Sequence, residues 1–324
     1  MSHLPRPRLP ETVRRLISRR TASPPVPEPK EESPGPVLVL SGGARMGAVQ
    51  VGILRALSAT GFRPAKVIGT SAGAFNAAFL AFYPDDTEYR ELRAIWEGLK
   101  FHRIFNRNPL LMAYNAAIRR DRVYDNRELR LLLQRLQPDE IGAAKIPLYV
   151  VATNLNTGEK TVFARGPVSQ AVLASAAIPG LFPPVEIGGE LYVDGAVTAN
   201  LDLETAVALG ARQVVAIDVS ASVVPAQART IGAVLARSLE IVLQSRTFGA
   251  LERLQPRAQI TLLRPGPLTM RRLSGLASMR ELLDEADQLG EELVARALDP
   301  QGRLLSGLVS TEPLPPLPAL VPAG

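Results

Sequence analysis

The chain has 324 residues, no cysteine and only two histidines, His3 and His102, so disulfides, thiolate catalysis and cysteine- or histidine-rich metal sites are excluded. A net charge of +6, carried mostly by arginine, reads first as a solubilising surface and otherwise as contact with anionic lipid or nucleic acid, and an aromatic content of 5% argues against a base-stacking nucleic-acid platform. No apolar run is long enough to span a bilayer and no apolar segment follows the N-terminal arginines, so the expected location is the cytoplasm, with peripheral membrane contact allowed.

Residues 1–36 are rich in proline and read as a tail without continuous secondary structure. Within them Glu11 to Arg20 forms a short basic amphipathic island. Its length favours a charged arm over a stable helix, and contact with anionic lipid is the functional alternative. The fold is expected to begin at Val37-Leu38-Val39-Leu40, a buried parallel-type strand. That strand runs into Ser41-Gly42-Gly43-Ala44-Arg45-Met46-Gly47 and then into a helix over Ala48 to Leu57.

A strand, glycine-rich turn and helix present backbone N–H groups to an anion. A dinucleotide pyrophosphate is one such anion. However, the second glycine of that fingerprint falls at Ala44, and no acidic residue closes the following strand. The oxyanion of a tetrahedral acyl intermediate fits better, held by the N–H groups of Gly42, Gly43 and Ala44. The reason is the next strand. Pro64 to Ile68 leads into Gly69-Thr70-Ser71-Ala72-Gly73 and a small-residue helix through Leu80. This is Gly-x-Ser-x-Gly in the strand–turn–helix setting of a nucleophile elbow. Its glycines are expected to supply positive φ and the space left by a missing Cβ, exposing Ser71 Oγ at a helix N-terminus.

Residues 84–145 read as mostly helical, with helices over Thr87 to Leu99 and Asn126 to Leu136. Trp96, Phe101, Phe105 and Tyr114 are read as packing residues, with an acyl cleft as their alternative role. Strands follow at Leu148 to Asn154 and Lys160 to Ala164, then a helix over Val168 to Ala177. Gly188-Gly189 reads as a hairpin turn into the strand Glu190 to Val193, which ends in Asp194-Gly195-Ala196. An acid at a strand end is either a turn cap or a base or orienting carboxylate. Further elements are expected at Leu203 to Leu209, Val214 to Val219, 231–254, Ile260 to Leu263 and 277–298. Alternating strands and helices make the class α/β with a mainly parallel sheet. The chain divides into a tail (1–36), one domain (37–305; motif-bearing part 37–220, mostly helical part 226–305) and a second proline-rich tail (306–324).

Four ordered blocks over roughly residues 37–220 resemble the patatin-like phospholipase family: Gly42 to Gly47, Gly69 to Gly73, Ala176 to Val185 and Asp194 to Ala196. The resemblance implies a three-layer α/β/α sandwich, hydrolysis of phospholipid or other acyl-ester substrates, and a Ser71–Asp194 dyad with no metal, cofactor or nucleic acid. Gly47, Gly69, Gly73 and Gly195 are then motif glycines. The alternative within the family is a catalytically weak lipid-binding or regulatory member. Three positions depart from the family pattern: Ala44 stands at a usual glycine, Met46 at a frequent Lys or Arg, and Leu201-Asp202 follow Asn200 where proline is frequent. Arg45 is the nearest substitute cation. His102 is expected to be a packing or surface residue, not the base.

Overall fold

Val37–Leu40 is apolar at every position and forms β1, buried along its whole length. Its side chains alternate between two cores, Leu38 and Leu40 joining one and Val37 and Val39 the other. That is the signature of a strand in the middle layer of three. The structure, a computed structural model, describes residues 33–84, 88–99, 124, 126–134, 136–220 and 231–312. The basic island, His102, Phe101, Phe105, Tyr114 and most of both expected tails lie outside the described residues.

From β1 the chain enters a short 3-10 turn at Ala44–Met46 and helix α1 (Gly47–Ala59), then β2 (Lys66–Thr70) and α2 (Ala72–Phe82). Helices α3 (Glu88–Gly98) and α4 (Arg127–Leu133) precede β3 (Leu148–Asn154), β4 (Lys160–Phe163) and α5 (Val168–Ser175). The hairpin β5 (Val185–Ile187) and β6 (Glu190–Asp194) turns at Gly188 and Gly189, both at positive φ as the Gly-Gly signal requires. Then come α6 (Ala196–Ala199), α7 (Leu203–Ala208), β7 (Gln213–Ile217), α8 (Ile231–Leu254), β8 (Gln259–Arg264), α9 (Pro267–Ser274), α10 (Met279–Ala297) and β9 (Gly307–Ser310).

Among the described residues nine strands form one sheet in the order β5-β6-β3-β2-β1-β7-β8-β9, with β4 beside β3. The strands from β3 through β9 in that order are parallel, while β4, β5 and β6 form antiparallel pairs. The order reverses around β1, so the turns after β1 and β2 open side by side at the carboxyl edge, where open α/β sheets place their sites.

Two elements of the C-terminal part escape the sequence patterning. Helix α9 has Pro267 at its first turn and faces the core with little beyond Met270 and Leu273. Strand β9 is half-buried and pairs parallel to β8. The expected boundary at 305 therefore falls short, because residues 307–310 belong to the sheet. Helix α10 carries a capping box, Ser278 with Glu281, a signal visible in the sequence as Ser-x-x-Glu. It crosses α1 backbone to backbone: a Cβ on Gly52 would strike the Ala286 carbonyl, and one on Gly290 the Gly52 carbonyl. Arg55 of α1 reinforces this contact through Asp287 and Glu291, and Arg93 of α3 binds Asp284 and Asp287 of the same helix.

Candidate active site

Ser71 is the residue between β2 and α2, capping the N-terminus of that helix. Its own backbone holds the strain of the elbow, at φ 55° and ψ −122°. Gly69 and Gly73 do not supply positive φ, as the sequence pattern suggested. They supply room: a Cβ on Gly69 would strike the Gly73 carbonyl, and one on Gly73 would lie 2.5 Å from the Leu40 and Ser41 carbonyl oxygens. Gly47 and Gly195 serve the same end, against Trp96 and Val151 respectively. A non-glycine residue in such a conformation costs on the order of 1–3 kcal/mol, so the surroundings must enforce it. Part of that enforcement is Ser175 of α5. Its hydroxyl accepts the Ser71 N–H at 2.8 Å and donates to the Val151 carbonyl. Sequence reasoning missed Ser175, because a small polar residue in an alanine-rich helix carries no distinguishing pattern.

Asp194 closes β6 and accepts a hydrogen bond from Ser71 Oγ at 2.7 Å. The other carboxylate oxygen accepts from the Ala196 N–H at 2.8 Å. Strand β6 runs antiparallel to β3 and stops opposite Ala152, one residue along from the Val151 that pairs with Thr70. That early stop brings the carboxylate to the serine. Thr153 Oγ1 donates to the Asp194 carbonyl and fixes the strand end. Both side chains are buried, Ser71 at 6% and Asp194 at 4% exposure. Burial pushes the Asp194 carboxyl up from 3.8 to about 6, against the bonds from Ala196 and Ser71, which favour the ionised form.

The turn after β1 is tied down from several sides. Ser41 Oγ accepts the Val219 N–H. Buried Gln50 donates to the Ser41 carbonyl and accepts from Asn76, which also donates to Gly47 O and accepts the Trp96 indole N–H. Thus Trp96 is core and cleft wall together, and Gln50 and Asn76 form a polar link that the apolar helix pattern concealed. Gly42, expected among the oxyanion donors, gives its N–H to the Asn200 carbonyl at 3.2 Å. Among the described residues the N–H groups of Gly43 and Ala44 meet no acceptor. Ala44 sits at φ 46°, the region that favours glycine and where the resemblance leads one to expect it. Arg45 does not stand in for the missing cation. Its guanidinium turns away to the carbonyls of Ser274, Leu276 and Ser278, pinning the turn to the α9–α10 connection. Met46 is buried in the core.

Two clefts meet at Ser71. One is walled by Phe75, Trp96, Leu132, Val172 and Phe182. The other, of about 820 Å³, is bounded by Gly43, Asp194, Asn200, Val219 and Leu243. A buried hydroxyl bonded to a buried carboxylate, between apolar clefts and beside two free N–H groups, is an arrangement suited to acyl transfer from a hydrophobic ester. Among the described residues no cluster of His, Cys, Asp and Glu could hold a metal ion, and no helix is long and apolar enough to cross a membrane.

A family model for patatin-like phospholipases matches residues 38–207, more than half of the chain. The chain belongs to the patatin-like phospholipase family. It is 30% identical over 196 residues to an uncharacterized NTE family protein of Mycobacterium bovis, covering 59% of this chain and 31% of that one. It is also 30% identical over 185 residues to the mouse patatin-like phospholipase domain-containing protein 7, covering 56% of this chain and 13% of that one. The matches therefore span a third or less of these relatives. Among solved structures it is similar to VipD from Legionella pneumophila, with a TM-score of 0.45 and 17% identity over 82% of this chain and 67% of that one. The patatin-like blocks read from the sequence all fall within the matched region.

Proposed function

We propose that this patatin-like chain is a serine acyl hydrolase that cleaves fatty-acyl esters of lipids, of the phospholipase A type. The observation that carries the reading is the 2.7 Å bond from Ser71 Oγ to Asp194 at the junction of two apolar clefts. Ser71 Oγ attacks the acyl carbon as its proton passes to Asp194. The tetrahedral oxyanion takes hydrogen bonds from the Gly43 and Ala44 N–H groups, with the α2 N-terminus behind the reacting carbon. Collapse expels the alcohol oxygen, which takes the proton from Asp194. Water then attacks the acyl-enzyme, giving its proton to Asp194 and releasing the fatty acid as the proton returns to Ser71. No step uses a metal or organic cofactor. The location that fits is the cytoplasm, with the net charge of +6 supporting peripheral contact with an anionic bilayer. The reading is tested by covalent labelling with a fluorophosphonate: the label should map to Ser71, and its attachment elsewhere or not at all would refute the nucleophile.

The oxyanion role has its own test. A Cβ on Gly43 would lie 2.8 Å from Val219 Cγ2, so any larger residue displaces the turn. Gly43→Val is expected to lower kcat by about 10²–10³, the effect of losing one donor, while KM moves far less. A rise in KM at unchanged kcat would show that Gly43 serves binding and not the oxyanion. The backbone at Gly43 is extended, with φ 172°, so the expected damage comes from this clash and not from a φ reserved to glycine.

A further inference from the structure

The two clefts at Ser71 differ in what their walls offer. The first has only apolar side chains apart from Ser71 itself. The second also has Asp194, Asn200, Ser220 and Glu240 in its wall. Given the Ser71–Asp194 reading, on which this inference rests, chemistry assigns the two sides. The proton that Asp194 takes from Ser71 must be handed to the departing alcohol oxygen. The alcohol portion therefore lies on the Asp194 side, in the second cleft, and the acyl chain in the first.

Asn200 is the unexplained group on that side. It is 5% exposed. Its carbonyl accepts the Gly42 N–H, and its Oδ1 packs so closely on Gly42 that a Cβ there would come within 2.7 Å. Its Nδ2 is buried without a hydrogen-bond partner among the described residues. A buried amide left unpaired is unfavourable, and such a group in a native site calls for a reason.

We propose that Asn200 Nδ2 donates to an oxygen in the alcohol portion of the ester, so that the second cleft selects glycerolipids, whose ester or phosphate oxygens lie close to the scissile bond. A phenyl or simple alkyl alcohol offers no such acceptor. A site that expects a hydrogen bond discriminates strongly against a substrate lacking it, because the protein group stays unpaired.

Three esters with the same hexanoyl chain test this: phenyl hexanoate, dihexanoylglycerol and dihexanoyl glycerophosphocholine. For Asn200→Ala, kcat/KM on a glycerol ester relative to phenyl hexanoate is expected to fall about tenfold or more. A fall confined to the phospholipid assigns the phosphate oxygen, and a fall on both assigns the glycerol ester oxygen. Asn200→Asp, which keeps the shape and removes the Nδ2 donor, is expected to shift the ratio the same way. An unchanged ratio in either variant overturns the proposal, because a residue that merely braces the Gly42 turn slows all three esters alike. So does a wild type that hydrolyses phenyl hexanoate and neither glycerol ester. Failure of the underlying hydrolase reading is distinct: the wild type would then show no Ser71-dependent turnover of phenyl hexanoate.

Discussion

Ser71→Ala should abolish ester hydrolysis while leaving the thermal melt close to that of the wild type. The loss should reach about 10⁴–10⁶ in kcat, since removing a nucleophile leaves only oxyanion and binding effects. The fold should tolerate the change, because the backbone bond from residue 71 to Ser175 is kept and only the bond to Asp194 is lost. The strained φ of 55° remains, held by the same neighbours. Assays of hexanoyl esters alongside melting curves decide it. Residual turnover within tenfold of wild type would mean that another group performs the chemistry.

Asp194→Asn should lose activity about as completely and yet gain stability. An asparagine keeps the shape and can still accept the Ala196 N–H, but it cannot take a proton. In the proposed mechanism the Asp194 carboxyl must be ionised, and its pKa is about 6. The rate should therefore be flat above neutral pH and fall about tenfold per pH unit below pH 6. The stability effect has the opposite sense. The folded carboxyl binds its proton more tightly than the unfolded one, whose pKa is near 3.8. The stability this brings is fully present below about pH 3.8 and is lost as pH rises through about 6. At about pH 8 the buried charge costs about 3 kcal/mol, at ~1.4 kcal/mol for each factor of ten. Asparagine removes that cost, so the variant should melt a few degrees higher at about pH 8, with the advantage shrinking toward about pH 4. A lower melting temperature for Asp194→Asn at alkaline pH would show that the carboxylate stabilises the fold and is not a strained base.

The α/β class was legible because buried parallel strands such as Val37–Leu40 are continuous apolar runs, and the long helix at 231–254 is bounded as its pattern suggests. Ser71 and Asp194 were legible because glycine turns at strand ends punctuate the sequence. What stayed hidden depends on distant partners. Which N–H of the Gly42–Gly43–Ala44 turn is free depends on Asn200, more than 150 positions away. The direction taken by Arg45 depends on carbonyls at Ser274, Leu276 and Ser278. Strand β9 was missed because a short half-buried edge strand lacks the apolar run that marked the central ones. The Gly188-Gly189 hairpin made β6 antiparallel to β5, but its pairing with β3 stayed hidden, because alternation reveals a strand and not its neighbour.

The crossing of α1 and α10 has a consequence for when the protein acquires its chemistry. Helix α1 continues directly from the turn that holds Gly43 and Ala44, and it is seated on α10 through Gly52 and Gly290. Ser71, Asp194 and the whole motif-bearing segment leave the ribosome long before Met279–Ala297 does. A nascent chain therefore carries the proposed dyad while lacking the helix that seats the turn of Gly43 and Ala44. In the proposed mechanism, hydrolysis then waits for Met279–Ala297 to pack against α1. A fragment ending at residue 220 would then be expected to resist the fluorophosphonate that labels the full chain; labelling at the same rate would show that the turn forms without its late partner.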